Sequence, residues 1–311
     1  MARRKATLDT KYLLLALSLT VVISLLTPYE LIVISIFLPI LLDQLLLRMI
    51  FRGPVKRSLP FTNPDWEVIR VDSNGVDACG FLRFQEQKSD LIVFIHGWQS
   101  SSEKFIERIK IFHAKGLHTL AIDMRGHGVA PSTTEWTAVK VIQDVKAILQ
   151  EIDTSKINKI HFYGHSLGAF VCIGMHHPRH TGWWKENYGT LMLESPMVAY
   201  SPIMEDMASR FTFMMPLLKR LAVGGFNKIH PEAGGVEWGD IDIPLWGVPK
   251  VPTLLLQAAN DNRLGRFHYN LLLEQDIEIY PHLIESLTHS KNRVNKERDV
   301  LIKNWIETKI L

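Results

Sequence analysis

The sequence predicts an α/β fold, a mostly parallel sheet with helices on both faces. Three observations carry this reading. From residue 67 onward, apolar runs of strand length alternate with segments of helical period. The run "DLIVFI" is apolar throughout, as in a strand buried on both faces. The pentad Gly164-His165-Ser166-Leu167-Gly168 lies between strand-like "NKIHFY" and helix-like "LGAFVCIGM".

"EVIRV" and "ACGFLRF" read as a first strand pair. After "DLIVFI", Phe105, Ile109 and Phe112 recur at helical spacing, and Gly116 is a stop. Strand "LHTLAID", helix "EWTAVKVIQDVKAILQEI", strand "NKIHFYG" and helix "LGAFVCIGM" follow. Next come strands "TLMLES", "PTLLLQ" and "IEIYP", with a final helix from about Lys296. The stretch between "LMLES" and "VPTLLLQ" is too long for an ordinary loop and reads as a cap insertion at about 196–250. It is expected over the C-terminal edge of the sheet, where ligands bind in such folds.

The N-terminal part has a different character. Tyr12 to Leu42 contains one charged residue, Glu30. Pro28-Tyr29-Glu30 breaks this run, so two membrane segments are expected, about 12–28 and 31–50. One tilted span continuing into an interfacial helix is the alternative. Arg3, Arg4, Lys5 and Lys11 precede the pair, and Arg48, Arg52, Lys56 and Arg57 follow it. Positive charge at both ends puts both ends, and the folded domain, on the cytoplasmic side. A cleaved signal is the competing reading, but no A-x-A-like site follows the first run and a second apolar run does. Residues 1–52 are thus expected to be a membrane anchor, a two-helix hairpin. Residues 53–66 read as a Pro-punctuated linker, and 67–311 as the α/β domain.

The net charge of +3 comes from the N-terminal region, where eight Lys or Arg face three acids through residue 57. The remainder is slightly acidic, which argues against a nucleic-acid-binding body, since phosphate binding needs a basic face on the folded domain. Cys79 and Cys172 form no CxxC pair and read as buried thiols. His176, His177 and His180 lack a neighbouring carboxylate or Cys, and Pro178 interrupts their helix. They read as surface imidazoles, with no metal.

The pentad carries the chemistry. Small residues around Ser166 permit a turn too sharp for side chains, which holds the serine hydroxyl above the sheet. The helix that follows presents the Leu167 backbone N–H to the oxygen of a bound acyl group. A serine hydroxyl needs a base within hydrogen-bond reach, and the base needs an orienting carboxylate.

Four motifs in order, "FIHGW", "DMRGHG", "GHSLG" and "LLLQAANDNRLG", resemble those of the α/β-hydrolase family. The likeness is greatest to its lysophospholipase, monoacylglycerol-lipase and S33-peptidase-like branch, and covers nearly everything from residue 67 on. The resemblance implies an α/β-hydrolase fold and a triad in the order Ser, acid, His. It puts the acid at Asp261 in "AAND", with Glu194 as rival, although Ala258 stands where Gly is common in the family. It puts the base at His289, with His282 as rival, on a loop longer than the family's usual one. It puts the second oxyanion donor on the Trp98 backbone N–H. His96 and His127 are expected to hold loops.

These readings imply a membrane-anchored serine hydrolase, without cofactor, acting on a small-molecule carboxylic ester of acyl or lipid-like type. Thioesterase, amidase or peptidase, and acyltransferase action use the same residues. A non-catalytic membrane-tethered interaction module is the alternative from another class, and a metal hydrolase lacks a ligand cluster.

Overall fold

The computed structural model describes residues 4–55 and 58–311. Arg3, Lys56 and Arg57, counted above among the orienting charges, lie outside the described residues. In chain order the elements begin with helices α1 (Thr10–Leu26) and α2 (Glu30–Ile50). Strands β1 (Glu67–Asp72), β2 (Asp77–Arg83) and β3 (Ser89–Ile95) follow, then α3 (Ile106–His113), β4 (His118–Asp123) and α4 (Ala138–Gln150). Next are β5 (Ile157–His165), α5 (Leu167–Gly174), the short α6 (Trp183–Glu186) and β6 (Tyr188–Glu194). Helices α7 (Ser201–Met207) and α8 (Met215–Ile229) occupy the insertion. The order ends with β7 (Thr253–Ala258), α9 (Phe267–Leu273), β8 (Ile279–Ile284) and α10 (Lys296–Trp305).

The strands form one eight-stranded sheet in the order β1-β2-β4-β3-β5-β6-β7-β8. β1 and β2 are antiparallel to their neighbours, and the other pairings are parallel. The continuous apolar runs become β3, β4, β6 and β7, whose central residues are buried on both faces. β8 runs further than "IEIYP" suggests, so His282 sits inside the strand, paired with Leu256, and not in the loop beyond. α9 has no counterpart among the expected elements, because "FHYNLLL" is too short to display a helical period.

The chain divides into two compact units. The larger contains the sheet and is formed by Pro54–Thr133, Thr137–Ile203 and Gly239–Leu311. Within it, Phe61 and Trp66 from the Pro-punctuated stretch are buried in the apolar core, with the Phe61 ring 4.5 Å from that of Phe81.

The smaller unit comprises the N-terminal residues through Gly53, Thr134–Trp136 and Met204–Trp238. α2 has 21 residues with mean hydropathy 2.1 and is long and apolar enough to cross a membrane. α1 is apolar but shorter, with 17 residues. The end of α2 packs on α8 through Leu47, Phe51 and Ile229, joined by Leu221 and Phe226. Gly225 makes this approach possible, since a Cβ there would lie 2.4 Å from the Phe51 ring. The Glu135 carboxylate accepts the backbone N–H groups of Ala6 at 3.1 Å and Thr7 at 2.8 Å, and Lys228 Nζ donates to the Ala6 carbonyl.

The histidine cluster corrects the sequence reading. His176 and His180 are buried, and only His177 keeps partial exposure. The physical reason is the turn after α5: Lys185 Nζ gathers the carbonyls of His177, Pro178 and His180 and folds this segment back. The His176 ring packs on Tyr188 with centroids 4.3 Å apart. Among the described residues no group of three or more potential ligands converges on a metal position.

Burial acts on six histidines alike. It pushes His96, His165 and His268 down to about 4, and His127, His176 and His180 to about 3. A lowered folded-state pKa means that the unfolded chain binds more protons between that value and 6.5. Stability is therefore full above about pH 6.5 and falls as the pH drops through that window, with each such group adding a slope of about 1.4 kcal/mol per pH unit. Urea unfolding at pH 7.5, 6, 5 and 4 is expected to show this steep loss, and His176→Phe is expected to make it shallower. A flat profile down to pH 4 would contradict the account.

Candidate active site

The site begins with how close two backbone segments come. The turn between β5 and α5 brings Gly168 against β3, where a Cβ would sit 2.0 Å from the Ile95 carbonyl oxygen. A Cβ on Gly164 would lie 2.5 Å from the Ala169 Cα. Only glycine satisfies either position. Between them Ser166 adopts φ +52°, ψ −120°, a strained conformation for a non-glycine residue. Two ties hold it: its N–H donates to the Glu194 carbonyl at 3.1 Å, and its carbonyl accepts from Ala169 and Met197.

Two further loops converge on this hydroxyl. The turn after β7 carries Asp261, and the loop between β8 and α10 carries His289. His289 Nε2 lies 3.0 Å from Ser166 Oγ, and His289 Nδ1 lies 2.8 Å from Asp261 Oδ2. With the carboxylate accepting from Nδ1–H, Nε2 is left as the acceptor for the serine proton. Asp261 Oδ1 accepts the backbone N–H groups of Arg263 and Leu264 at 2.8 and 2.9 Å. Gln257 Nε2 donates to Oδ2 at 3.2 Å. Burial opposes ionisation of Asp261, but the His289 hydrogen bond and the Leu264 and Arg263 N–H groups outweigh it and hold its pKa below the ordinary value.

The rival residues are placed elsewhere. His282 lies on β8, away from the loop that carries His289. The Glu194 carboxylate is buried at the end of β6, where Oε1 accepts from Arg108 Nη2 at 2.6 Å and has Arg298 Nη1 at 3.6 Å. Tyr163 Oη donates to its Oε2. Burial pushes the Glu194 pKa up, and the two guanidinium groups overcome it and bring it down to about 2.

This buried charge group also reaches the loop of His289. Arg298 Nη1 donates to the Asn292 carbonyl at 2.8 Å, and Asn295 Nδ2 to the Ser286 carbonyl at 2.9 Å. His165 Nε2–H donates to the His289 carbonyl at 2.7 Å. Burial lowers the His165 pKa to about 4, against the opposing pull of Glu194. The long loop is thus tied at Ser286, His289 and Asn292. Sequence reasoning missed His165, Arg108, Tyr163 and Arg298 as supports of the site. "KERDVL" reads as an ordinary charged helix face, and nothing local shows that Arg298 is fully buried.

The loop after β3 lies against the same turn. A Cβ on Gly97 would be 3.1 Å from Ser166 Cβ and 2.9 Å from His165 Nδ1. His96 Nδ1–H donates to the Gly97 carbonyl at 2.8 Å, and its Nε2 accepts the Met124 N–H at 3.1 Å. His127 Nε2 accepts the Gln99 N–H at 3.0 Å, and its Nδ1–H donates to the Arg125 carbonyl. Both rings must be neutral for this pattern, in keeping with their lowered pKa values. Trp98, between them, sets its ring edgewise on His127 with centroids 5.2 Å apart. Leu167 opens α5, so its N–H has no acceptor within the helix.

Comparison with known proteins agrees with this architecture. Residues 86–236, just under half of the chain, match the family model for serine aminopeptidase, S33. A serine hydrolase-like protein of Dictyostelium discoideum is 25% identical over 111 residues, 36% of this chain and 31% of that protein. The match thus spans about a third of that relative's length. A Pyrococcus furiosus esterase superposes with TM-score 0.57 at 15% identity, covering 84% of this chain and 98% of that one. A Pyrococcus horikoshii acylaminoacyl peptidase superposes with TM-score 0.57 at 17% identity, covering 79% of this chain and 41% of that one. Sheet order, elbow geometry and these matches agree on one architecture: the chain has the α/β-hydrolase fold, and within it residues 86–236 are similar to the serine aminopeptidase S33 family.

Proposed function

We propose that the protein is a membrane-anchored serine hydrolase that cleaves a carboxylic ester through an acyl-enzyme. The observation that carries this is the continuous relay from Ser166 Oγ through His289 to Asp261, at 3.0 and 2.8 Å. Ser166 Oγ attacks the acyl carbonyl as His289 Nε2 takes its proton. The N–H groups of Trp98 and Leu167 donate to the oxyanion, each worth about 3 kcal/mol of barrier in comparable sites. Collapse breaks the bond to the leaving alkoxide, which receives the proton from His289. Water then adds to the acyl-enzyme with His289 as base, and releases the acid and free Ser166.

An acyl or lipid-like ester is favoured by the apolar character of the insertion, where Met207, Phe211 and Phe213 are exposed. Residues 1–52 serve as the anchor, and residues 67–311 form the hydrolase domain behind the 53–66 segment. Arg4 and Lys5 before the apolar helices and Lys11 in the first turn of α1, with Arg48 and Arg52 at the far end of α2, favour a cytoplasmic hydrolase domain. Peptidase or amidase action is the second reading, favoured by the S33 match.

Ser166→Ala is expected to lower kcat on p-nitrophenyl esters at least about 10³-fold with little change in KM. Asp261→Asn is expected to lose about 10⁴-fold, while Glu194→Gln lowers stability first and leaves relay chemistry in the folded fraction. Equal losses of kcat for Asp261→Asn and Glu194→Gln at matched folded fraction would undo the assignment of the acid. The same panel with p-nitroanilides separates esterase from amidase action. A reporter fused at the C-terminus is expected to signal from the cytoplasm, and a signal from the opposite side would reverse the topology.

A further inference from the structure

A cleft of about 450 Å³ lies at the base of the N-terminal helical pair, between the start of α1 and the last turn of α2. Its polar lining is basic: Lys5, Arg48 and Arg52, beside the hydroxyl side chains of Thr7 and Thr10. Asp9 is the one acid in the lining, and Lys5 pairs with it. Arg48 is held in place by Leu8 and Thr10, with Nη2 2.8 Å from the Leu8 carbonyl and Nη1 3.2 Å from Thr10 Oγ1. Its Nε is shielded from solvent and has no hydrogen-bond partner. Arg52 is exposed and makes no ion pair among the described residues. Leu45 and Met49 also line the cleft and are exposed.

Opposite chemistries thus meet along one short stretch. The cleft sits where the apolar runs of both helices stop, which is headgroup depth for a helical pair in a bilayer. Guanidinium groups suit phosphate oxygens in particular. A free phosphate or a nucleotide has no use for exposed Leu45 and Met49 beside the bases, whereas a lipid covers them with its acyl chains.

We propose that this cleft binds the phosphate of an anionic phospholipid headgroup, with Arg48 and Arg52 as its principal partners. The proposal rests on the reading of α1 and α2 as a membrane anchor.

The test uses the full chain in nanodiscs of phosphatidylcholine alone or mixed with phosphatidylglycerol, with retained lipid counted by native mass spectrometry. The wild type is expected to retain phosphatidylglycerol in preference. Arg52→Gln, at an exposed position, is expected to lower that preference about fivefold, and Arg52→Lys to keep most of it. Equal retention of the two lipids, or indifference to Arg52→Gln, would overturn the headgroup site. Displacement of the lipid by millimolar inorganic phosphate would show a free-anion site and overturn the lipid assignment. Carbonate washing of cell membranes reports on the anchor separately. Release into the wash overturns the anchor and the headgroup site with it, whereas a protein that stays in the pellet without lipid preference loses only the headgroup site.

Discussion

Two backbones touching without side chains between them set the geometry of the site. Gly168 brings the start of α5 onto the Ile95 carbonyl, and Gly164 brings the end of β5 onto Ala169. A methyl group at either place would demand a shift of main chain, which a parallel sheet buried on both faces resists. This contact holds Ser166 at a positive φ, at a cost of about 1–3 kcal/mol that the surrounding sheet sustains. The same closeness puts the loop after β3 beside the serine, because that loop leaves the strand Gly168 touches.

A second constraint is electrostatic and lies beneath the first. Glu194, Arg108, Arg298 and Tyr163 come from β6, α3, α10 and β5 and meet out of water, with Arg108 and Tyr163 donating to the carboxylate and Arg298 beside it. Removing one partner from such a group costs about 3–5 kcal/mol, because it leaves a buried charge unmatched. Arg298 also bonds the Asn292 carbonyl, and His165 bonds the carbonyl of His289 itself. Groups outside the Ser166–His289–Asp261 relay thus hold the loop that carries the imidazole. Neutral His96 and His127 act likewise on the loop of Trp98, each accepting a backbone N–H that a protonated ring would repel.

What could be read from the sequence divides along physical lines. Strands buried on both faces leave continuous apolar runs, so β3, β4, β6 and β7 were legible one by one. The elbow was legible because its two glycines and its flanking elements are contiguous. Asp261 and His289 were reachable only through the resemblance, since nothing local separates His289 from His282. Geometry separates them, because one lies in a strand and the other beside Ser166. His176 and His180 were misplaced at the surface because the fold of their segment depends on Lys185, from the short α6, which is too brief to show a helical period. The support group around Glu194 was invisible for a similar reason: its members are far apart in sequence and meet only in the folded chain.

The smaller unit has an apolar contact of its own. α8 of the insertion and the end of α2 share one apolar contact through Gly225 and Phe51, so this part of the insertion and the N-terminal helices belong to one compact unit. All of this matters for function only if the serine is a nucleophile, and that is directly measurable. Folded protein treated with a fluorophosphonate probe, then digested and sequenced by mass spectrometry, is expected to carry one adduct on Ser166. His289→Ala is expected to suppress that labelling while the chain stays folded. A folded protein that leaves Ser166 unlabelled, or labels equally fast without His289, would contradict the account.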